Sequence, residues 1–328
     1  MIEFAIRTDG LAKSFGQTQA LRDVSLQVPT GSIICVLGRN GAGKTTTVRI
    51  LTTLIQPDEG VAEVAGFDTA SQPQRVRARI GVAGQGTTLD QLLTGRQNLE
   101  VIGRLYHLGA ARSRERAEEL LKEFGLTEAA GRQVKTYSGG MRRRLDLAAS
   151  LLPDPQVLFL DEPTTGLDPI SRTALWQTIR DYAARGTTVL LTTQDMEEAN
   201  QLADNIVVLA GGVIVARGTP AELAAATGQP RIRVSLPEAR PEQVKTVLAV
   251  LGPEAEARGR IITTPASDGI ATLVKVVQRL AASGIEVHDV GLEHPTLNEV
   301  FVALTTHPAD GTAKGTFGGP GRLHLVAA

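Results

Sequence analysis

The 328-residue chain carries 34 basic and 35 acidic side chains and is 42% hydrophobic. That length predicts about two domains, each with a buried core, and the nearly balanced charge argues against nucleic acid or an anionic membrane as a general partner. The single cysteine, Cys35, excludes an internal disulfide.

Glu3–Thr8 and Ala20–Val28 alternate apolar and polar residues, which predicts strands of an antiparallel sheet. Met1–Arg7 contains Glu3 and lacks the apolar run of a secretion signal, so a cytoplasmic location is expected. Ile33–Leu37 is continuously apolar, as a strand buried on both faces of a parallel sheet would be, and Cys35 within it reads as a small buried hydrophobe. A Gly-rich loop then leads into a helix over Thr45–Leu54. The charged, helically periodic stretch Gln97–Leu152, with its Leu120, Leu121 and Phe124 stripe, predicts a helical subdomain over about residues 86–155. Val157–Leu160 and Thr187–Leu191 are further buried strands, each followed by a helix, which makes the core α/β. The longest apolar run, Ile206–Ala216, is broken by Gly211 and Gly212 and falls short of the roughly 20 residues of a membrane span.

Gly, Pro and small residues across Arg217–Pro230 close the first domain near residue 220 and leave a linker over 221–230. Residues 231–305 read as strand Arg231–Leu236, helix Glu242–Leu251, two short strands around Arg258–Thr264, helix Ile270–Ala282, strand Glu286–Gly291 and a last helix. That β-α-β-β-α-β order predicts a small ferredoxin-like α+β domain. The Gly-rich, aperiodic residues 306–328 are expected to be disordered.

Gly38-Arg39-Asn40-Gly41-Ala42-Gly43-Lys44-Thr45 fits G-x-x-x-x-G-K-[ST] between a buried strand and a helix. The glycines let backbone N–H groups wrap phosphates, and Thr45 and Thr46 open the helix whose N-terminal amides add positive charge. Lys44 would reach the β- and γ-phosphates of a bound nucleotide, and the Thr45 hydroxyl would ligate Mg²⁺, as in GTPases, kinases and helicases alike. Asp161 and Glu162 follow an apolar strand, where an acid pair is costly unless it faces a ligand. Asp161 is thus expected to hold Mg²⁺ and Glu162 to orient and deprotonate the attacking water.

Tyr137-Ser138-Gly139-Gly140-Met141, about twenty residues before the acidic pair, resembles the signature of the ATP-binding cassette (ABC) family. The resemblance covers about Ile2–Pro220. It implies a P-loop NTPase cassette, with a RecA-like core, an antiparallel β subdomain and a helical insert. It also implies that Gln85 is the Q-loop residue near Mg²⁺ and nucleotide, that Gly166-Leu167-Asp168 is the D-loop, and that Phe15 stacks on adenine. Two copies would close head to tail, bringing Ser138, Gly139 and Gly140 of one to the nucleotide held by Lys44 of the other. Where the family usually has a histidine that contacts the γ-phosphate, this chain has Gln194, which can still donate a hydrogen bond but carries no charge.

Thr192-Thr193-Gln194, the following Glu197-Glu198-Ala199 and the run Gly140–Asp146 are similar to ATP-binding subunits of the daunorubicin/doxorubicin-resistance type. Pro295–Thr305 resembles the C-terminal helix of that subgroup, where Leu297, Val300, Phe301 and Leu304 would seal the small domain's core. The resemblance implies an ATP-hydrolysing subunit at the cytoplasmic membrane face, docked on a separate polytopic permease and powering drug export, with no nucleic-acid partner. Export of lipid or ions, a non-transport cassette switch and a regulatory C-terminal domain stay open as alternatives.

Overall fold

The computed structural model describes residues 3–84, 88–226, 229–296, 298, 299 and 301, in two compact units that divide after Pro220. The segment 306–328 and the positions of Leu297, Val300 and Leu304 lie outside the described residues, while Phe301 is buried. Among the described residues no helix is long and apolar enough to cross a membrane.

The first unit contains two sheets. In the smaller one, strands Phe4–Phe15 and Thr18–Pro29 form a long antiparallel ribbon, extended by Glu59–Val64 and Phe67–Asp68. The first strand does not stop near Thr8. Gly10 adopts a left-handed φ of 63° at a register shift, and its N–H donates to Ser25 Oγ (2.9 Å), so the ribbon continues through a bulge.

The larger sheet has the order Val213–Gly218, Asn205–Ala210, Ile33–Leu37, Thr188–Thr193, Val157–Asp161, Ile80–Ala83. Its pairs are parallel except at the Val213–Gly218 edge. That edge is the apolar run Ile206–Ala216, folded into a hairpin because Gly211 and Gly212 both take positive φ in a two-residue turn. The expected central strand Ile33–Leu37 is buried along its whole length, Cys35 included.

Helix Lys44–Leu51 lies between the two sheets. Its Val48, Ile50 and Leu51 share one core with Leu26 and Val64 of the small sheet and with Ile34, Phe159 and Leu190 of the large one. Each such buried side chain contributes about 1.5–3 kcal/mol, and because both faces are gripped the helix cannot drift relative to the strand before it.

The predicted helical insert consists of helices Gly95–Leu105, Ala110–Glu123 and Gly139–Ser150, with 3₁₀ turns between the last two. Thr94 and Gln97 close the first in a reciprocal capping box. At Gly103 a β-carbon would come within 2.9 Å of Ser113 Oγ, so glycine permits the close crossing of the first two helices.

The second unit follows the expected β-α-β-β-α-β order. Its strands Arg231–Ser235, Glu256–Arg258, Ile261–Pro265 and Asp289–Glu293 form an antiparallel sheet with the third strand between the second and first, and the fourth on the first strand's other side, as in a ferredoxin-like fold. The last strand begins at Asp289 rather than Glu286, because Val290 and Leu292 pair with Val234 and Ile232 and alternate onto the core face.

Phe159 is fully buried where strand Val157–Asp161 supports helix Lys44–Leu51. Phe159→Ala should lower cassette stability by about 3–5 kcal/mol, read from urea unfolding of the first unit. A loss below about 1 kcal/mol would show that this contact does not support the layers.

Candidate nucleotide site

After Leu37 the chain leaves the large sheet at its C-terminal edge, where ligands bind in open α/β folds. The loop folds tightly against the Asn205–Ala210 strand and the small sheet. A β-carbon on Gly38 would meet Leu209 O at 2.6 Å, and one on Gly43, where φ is 106°, would meet Ala20 O at 2.6 Å. Gly38 N–H donates to Thr193 O (3.2 Å), anchoring the loop to the neighbouring strand. Ala42 is buried beneath it, whereas Asn40 and Gly41 are exposed at its rim and Thr46 is half-buried.

Lys44 is only 5% exposed. Its ammonium donates to Gly38 O (2.9 Å) and Arg39 O (3.4 Å) and lies 3.5 Å from Glu162 Oε1. Beside it, Thr45 Oγ1 donates to Asp161 Oδ2 (3.1 Å), and Thr192 Oγ1 donates to the other carboxylate oxygen. A hydroxyl and a carboxylate held together at a helix N-terminus are the hard oxygen donors that Mg²⁺ takes when phosphates and waters fill its remaining positions. The residues present therefore fit that ion.

Glu162 has a φ of 51°, a left-handed conformation uncommon outside glycine. Two sets of contacts impose it. Its N–H donates to Thr192 O (3.0 Å), and the Arg143 guanidinium reaches in from helix Gly139–Ser150. Arg143 donates to the carbonyls of Pro163 (2.6 Å), Gly84 (2.7 Å), Glu162 (3.1 Å) and Asp161 (3.3 Å). It also meets Asp146 Oδ2 at 3.4 Å, and Thr88 Oγ1 donates to that carboxylate (3.2 Å). Burial pushes the Asp146 carboxyl up and the Arg143 guanidinium down from their ordinary ranges, and each charge partly offsets the other's shift.

The other expected site residues stand apart from this cluster. Phe15 ends its strand 48% exposed, with the Lys13 ammonium 5.8 Å from its ring centroid. Ser138 is exposed and caps its helix by accepting from Met141 N–H (3.2 Å). Gly139 is exposed too, and a β-carbon on Gly140 would lie 3.1 Å from Ser171 Oγ, so the signature turn packs on the start of helix Pro169–Ala184. Asp168 caps that helix, and the Ser171 hydroxyl and N–H hold its carboxyl below the usual range.

Gln194 is exposed directly after Thr193, and its amide has no hydrogen bond among the described residues. Gln85 lies outside the described residues. The structure thus joins Gly38–Thr45, Asp161 and Glu162, but not Phe15, Ser138 or Asp168, into one hydrogen-bonded cluster.

Two residues of the cluster carried no specific expectation from sequence. Thr192 is opposite Asp161 in parallel register, a pairing invisible before strand order is known. Arg143 is hidden among Arg142, Arg143 and Arg144, which together cover most of a helix circumference. Asp146, three residues on, was the available signal for the one that turns inward.

Residues 21–165 match the ABC transporter family. The chain is 51% identical over 308 residues to the daunorubicin resistance ATP-binding protein DrrA3 of Streptomyces coeruleorubidus, covering 93% of this chain and 97% of that protein. It is 39% identical over 308 residues to the Nod factor export ATP-binding protein I of Ralstonia nicotianae, covering 92% and 93%. Among solved structures it resembles the dimeric post-hydrolysis state of the ATP-binding cassette MJ0796 bound to ADP and Pi, with a TM-score of 0.60 and 26% identity over 65% of this chain and 98% of that one. The chain belongs to the ABC transporter family, as one of its ATP-hydrolysing, ATP-binding subunits.

Proposed function

We propose that two copies of this chain close head to tail and hydrolyse ATP to drive export of drugs or antibiotics through a separate polytopic membrane subunit, which holds them at the cytoplasmic face. The observation that carries the ATPase chemistry is the buried approach of Lys44 to Glu162 at 3.5 Å beside the Thr45–Asp161 pair. The drug cargo is supported by the 51% identity to a daunorubicin resistance ATP-binding protein.

In this reading the β- and γ-phosphates replace the carbonyls of Gly38 and Arg39 as acceptors for Lys44, and the N–H groups from Gly43 to Thr46, at the start of the helix, surround them. Thr45 and Asp161, with Gln85, would hold Mg²⁺, which supplies charge neutralisation along the phosphates. Glu162 orients a water toward the γ-phosphorus and accepts its proton as the bond to the bridging oxygen breaks, leaving ADP and phosphate. Gln194 donates to a γ-phosphate oxygen and Phe15 stacks on adenine. Ser138, Gly139, Gly140 and Asp168, exposed or beside the exposed signature turn, face the partner copy's nucleotide.

Lipid or ion export is the competing reading. Similarity to a Nod factor export protein as well as to drug-resistance proteins favours a cassette whose cargo is selected by its membrane subunit.

Glu162→Gln should lower ATP turnover by about 10²–10⁴-fold while ATP binding persists. In cells that also carry the membrane subunit recovered by co-purification, it should abolish anthracycline efflux. Normal turnover would refute the general base, and efflux equal with and without the wild-type chain would refute this cargo. Arg143→Lys keeps the charge but loses the guanidinium fork, so turnover should fall by about tenfold or more with ATP affinity retained. Equal turnover would show that the left-handed Glu162 needs no such clamp. Gln194→Ala should slow hydrolysis by about 10–100-fold, and Gln194→His should restore a near-normal rate; an unaffected Ala variant would remove Gln194 from the phosphate contact.

A further inference from the structure

Two helices carry the outermost side chains of the proposed mechanism. Pro169–Ala184 begins at Asp168, and Met196–Leu202 begins at Asp195, directly after Gln194. They are cross-linked in two tiers. In the outer tier Arg172 Nη1 donates to Asp195 Oδ2 (3.1 Å) and lies 3.6 Å from Glu197 Oε2. In the inner tier, one turn further along the first helix, Trp176 Nε1 donates to Glu198 Oε1 (3.3 Å). The Arg172 guanidinium lies 6.0 Å from the Trp176 ring centroid, so the tiers touch.

Glu198 is completely buried. Burial pushes its carboxyl up, while the hydroxyls of Thr193 and Thr164 and the Trp176 N–H favour the charged form. Thr193 precedes Gln194, and Thr164 is in the turn between Glu162 and Asp168. A buried carboxylate is a poor way to pack two helices together, since an apolar pair of similar volume does so without desolvating a charge.

Neither tier uses all of its hydrogen-bonding capacity. Arg172 Nε is buried without a partner, and Glu198 Oε2, with the Thr193 and Thr164 hydroxyls near its carboxylate, receives no well-aligned hydrogen bond; one is a donor and one an acceptor, on opposite helices. Among the described residues the only other such side-chain atom is Arg144 Nε. Buried polar atoms are nearly always paired, so complementary unpaired groups across one junction mark an arrangement with a second pairing available to it. Packed junctions move between discrete arrangements of this kind rather than deforming continuously.

We propose that Arg172, Trp176 and Glu198 are positioning residues of a two-state latch, which re-pairs when Gln194 engages the terminal phosphate of ATP and so moves Asp168 in concert with it. This rests on the reading of Gln194 as a phosphate contact. Nucleotide occupancy in one half-site is thereby signalled to the D-loop that faces the partner copy.

Trp176 is the only tryptophan in the chain, so its fluorescence reports the inner tier without a label. In full-length protein carrying Glu162→Gln, saturating MgATP should shift or quench the emission and MgADP should not. Adding Gln194→Ala should abolish the response while calorimetry still records ATP binding. Trp176→Phe keeps an aromatic ring and removes the donor; it should lower kcat by about fivefold or more and leave KM for ATP within about twofold.

Emission unchanged by ATP in a chain that binds ATP would overturn the latch, as would a response that survives Gln194→Ala or a normal kcat in folded Trp176→Phe. Should Trp176→Phe fail to fold, the fluorescence arm, which leaves Trp176 in place, decides alone. Absence of calorimetric ATP binding to the Glu162→Gln chain would instead overturn the nucleotide reading of the site, and the latch with it.

Discussion

A lysine and two carboxylates are buried together at the edge of an apolar sheet, and much of the surrounding architecture answers that constraint. Lys44 is 5% exposed and Glu162 10% at a separation of 3.5 Å, with Asp161 one residue away. Removing such charges from water costs several kcal/mol per ion after relaxation. The cost is met by the loop carbonyls at Lys44, the Thr45 and Thr192 hydroxyls at Asp161, and the hydroxyl of Thr165, which donates to Glu162 Oε2 (3.3 Å). A polyphosphate bound among them would exchange these partners for stronger, charge-assisted ones.

The same constraint explains why the helix Lys44–Leu51 is gripped on both faces. A loop that must present its own N–H groups to an anion has few internal contacts to hold it, so its shape comes from the strand before it and the helix after it. The bulged antiparallel ribbon matters here for its position, since Ala20 and Leu21 close over Gly43 and leave no room for a β-carbon. A change that loosened the small sheet would reach the phosphate loop through that contact.

In the proposed head-to-tail dimer the cluster is half of a reaction centre. Ser138 and Asp168 spend their local hydrogen bonds on helix caps and leave exposed edges, and among the described residues neither side chain bonds to Lys44. Arg143 stands between the two halves. It begins on the signature helix, five residues after Ser138, and ends on the carbonyls that hold Glu162 in its left-handed conformation. Movement of the signature helix is therefore felt directly by the proposed general base.

The roles expected of the site residues from sequence rest on local order. Lys44 and Thr45 follow a Gly-rich loop between a buried strand and a helix, and Asp161 and Glu162 end a second strand, so their roles depend on neighbours within a few residues. The β-α-β-β-α-β order of the second unit was legible for the same reason, although its last strand shifted by three residues once pairing with Arg231–Ser235 set the alternation. What only the tertiary structure decided are the links between distant segments. Arg143 reaches Gly84 across 59 positions, Thr192 meets Asp161 across 31, and Trp176 finds Glu198 across 22. Such pairs leave no periodicity in a sequence, because the partner of a buried polar group is set by strand order and helix packing rather than by spacing along the chain.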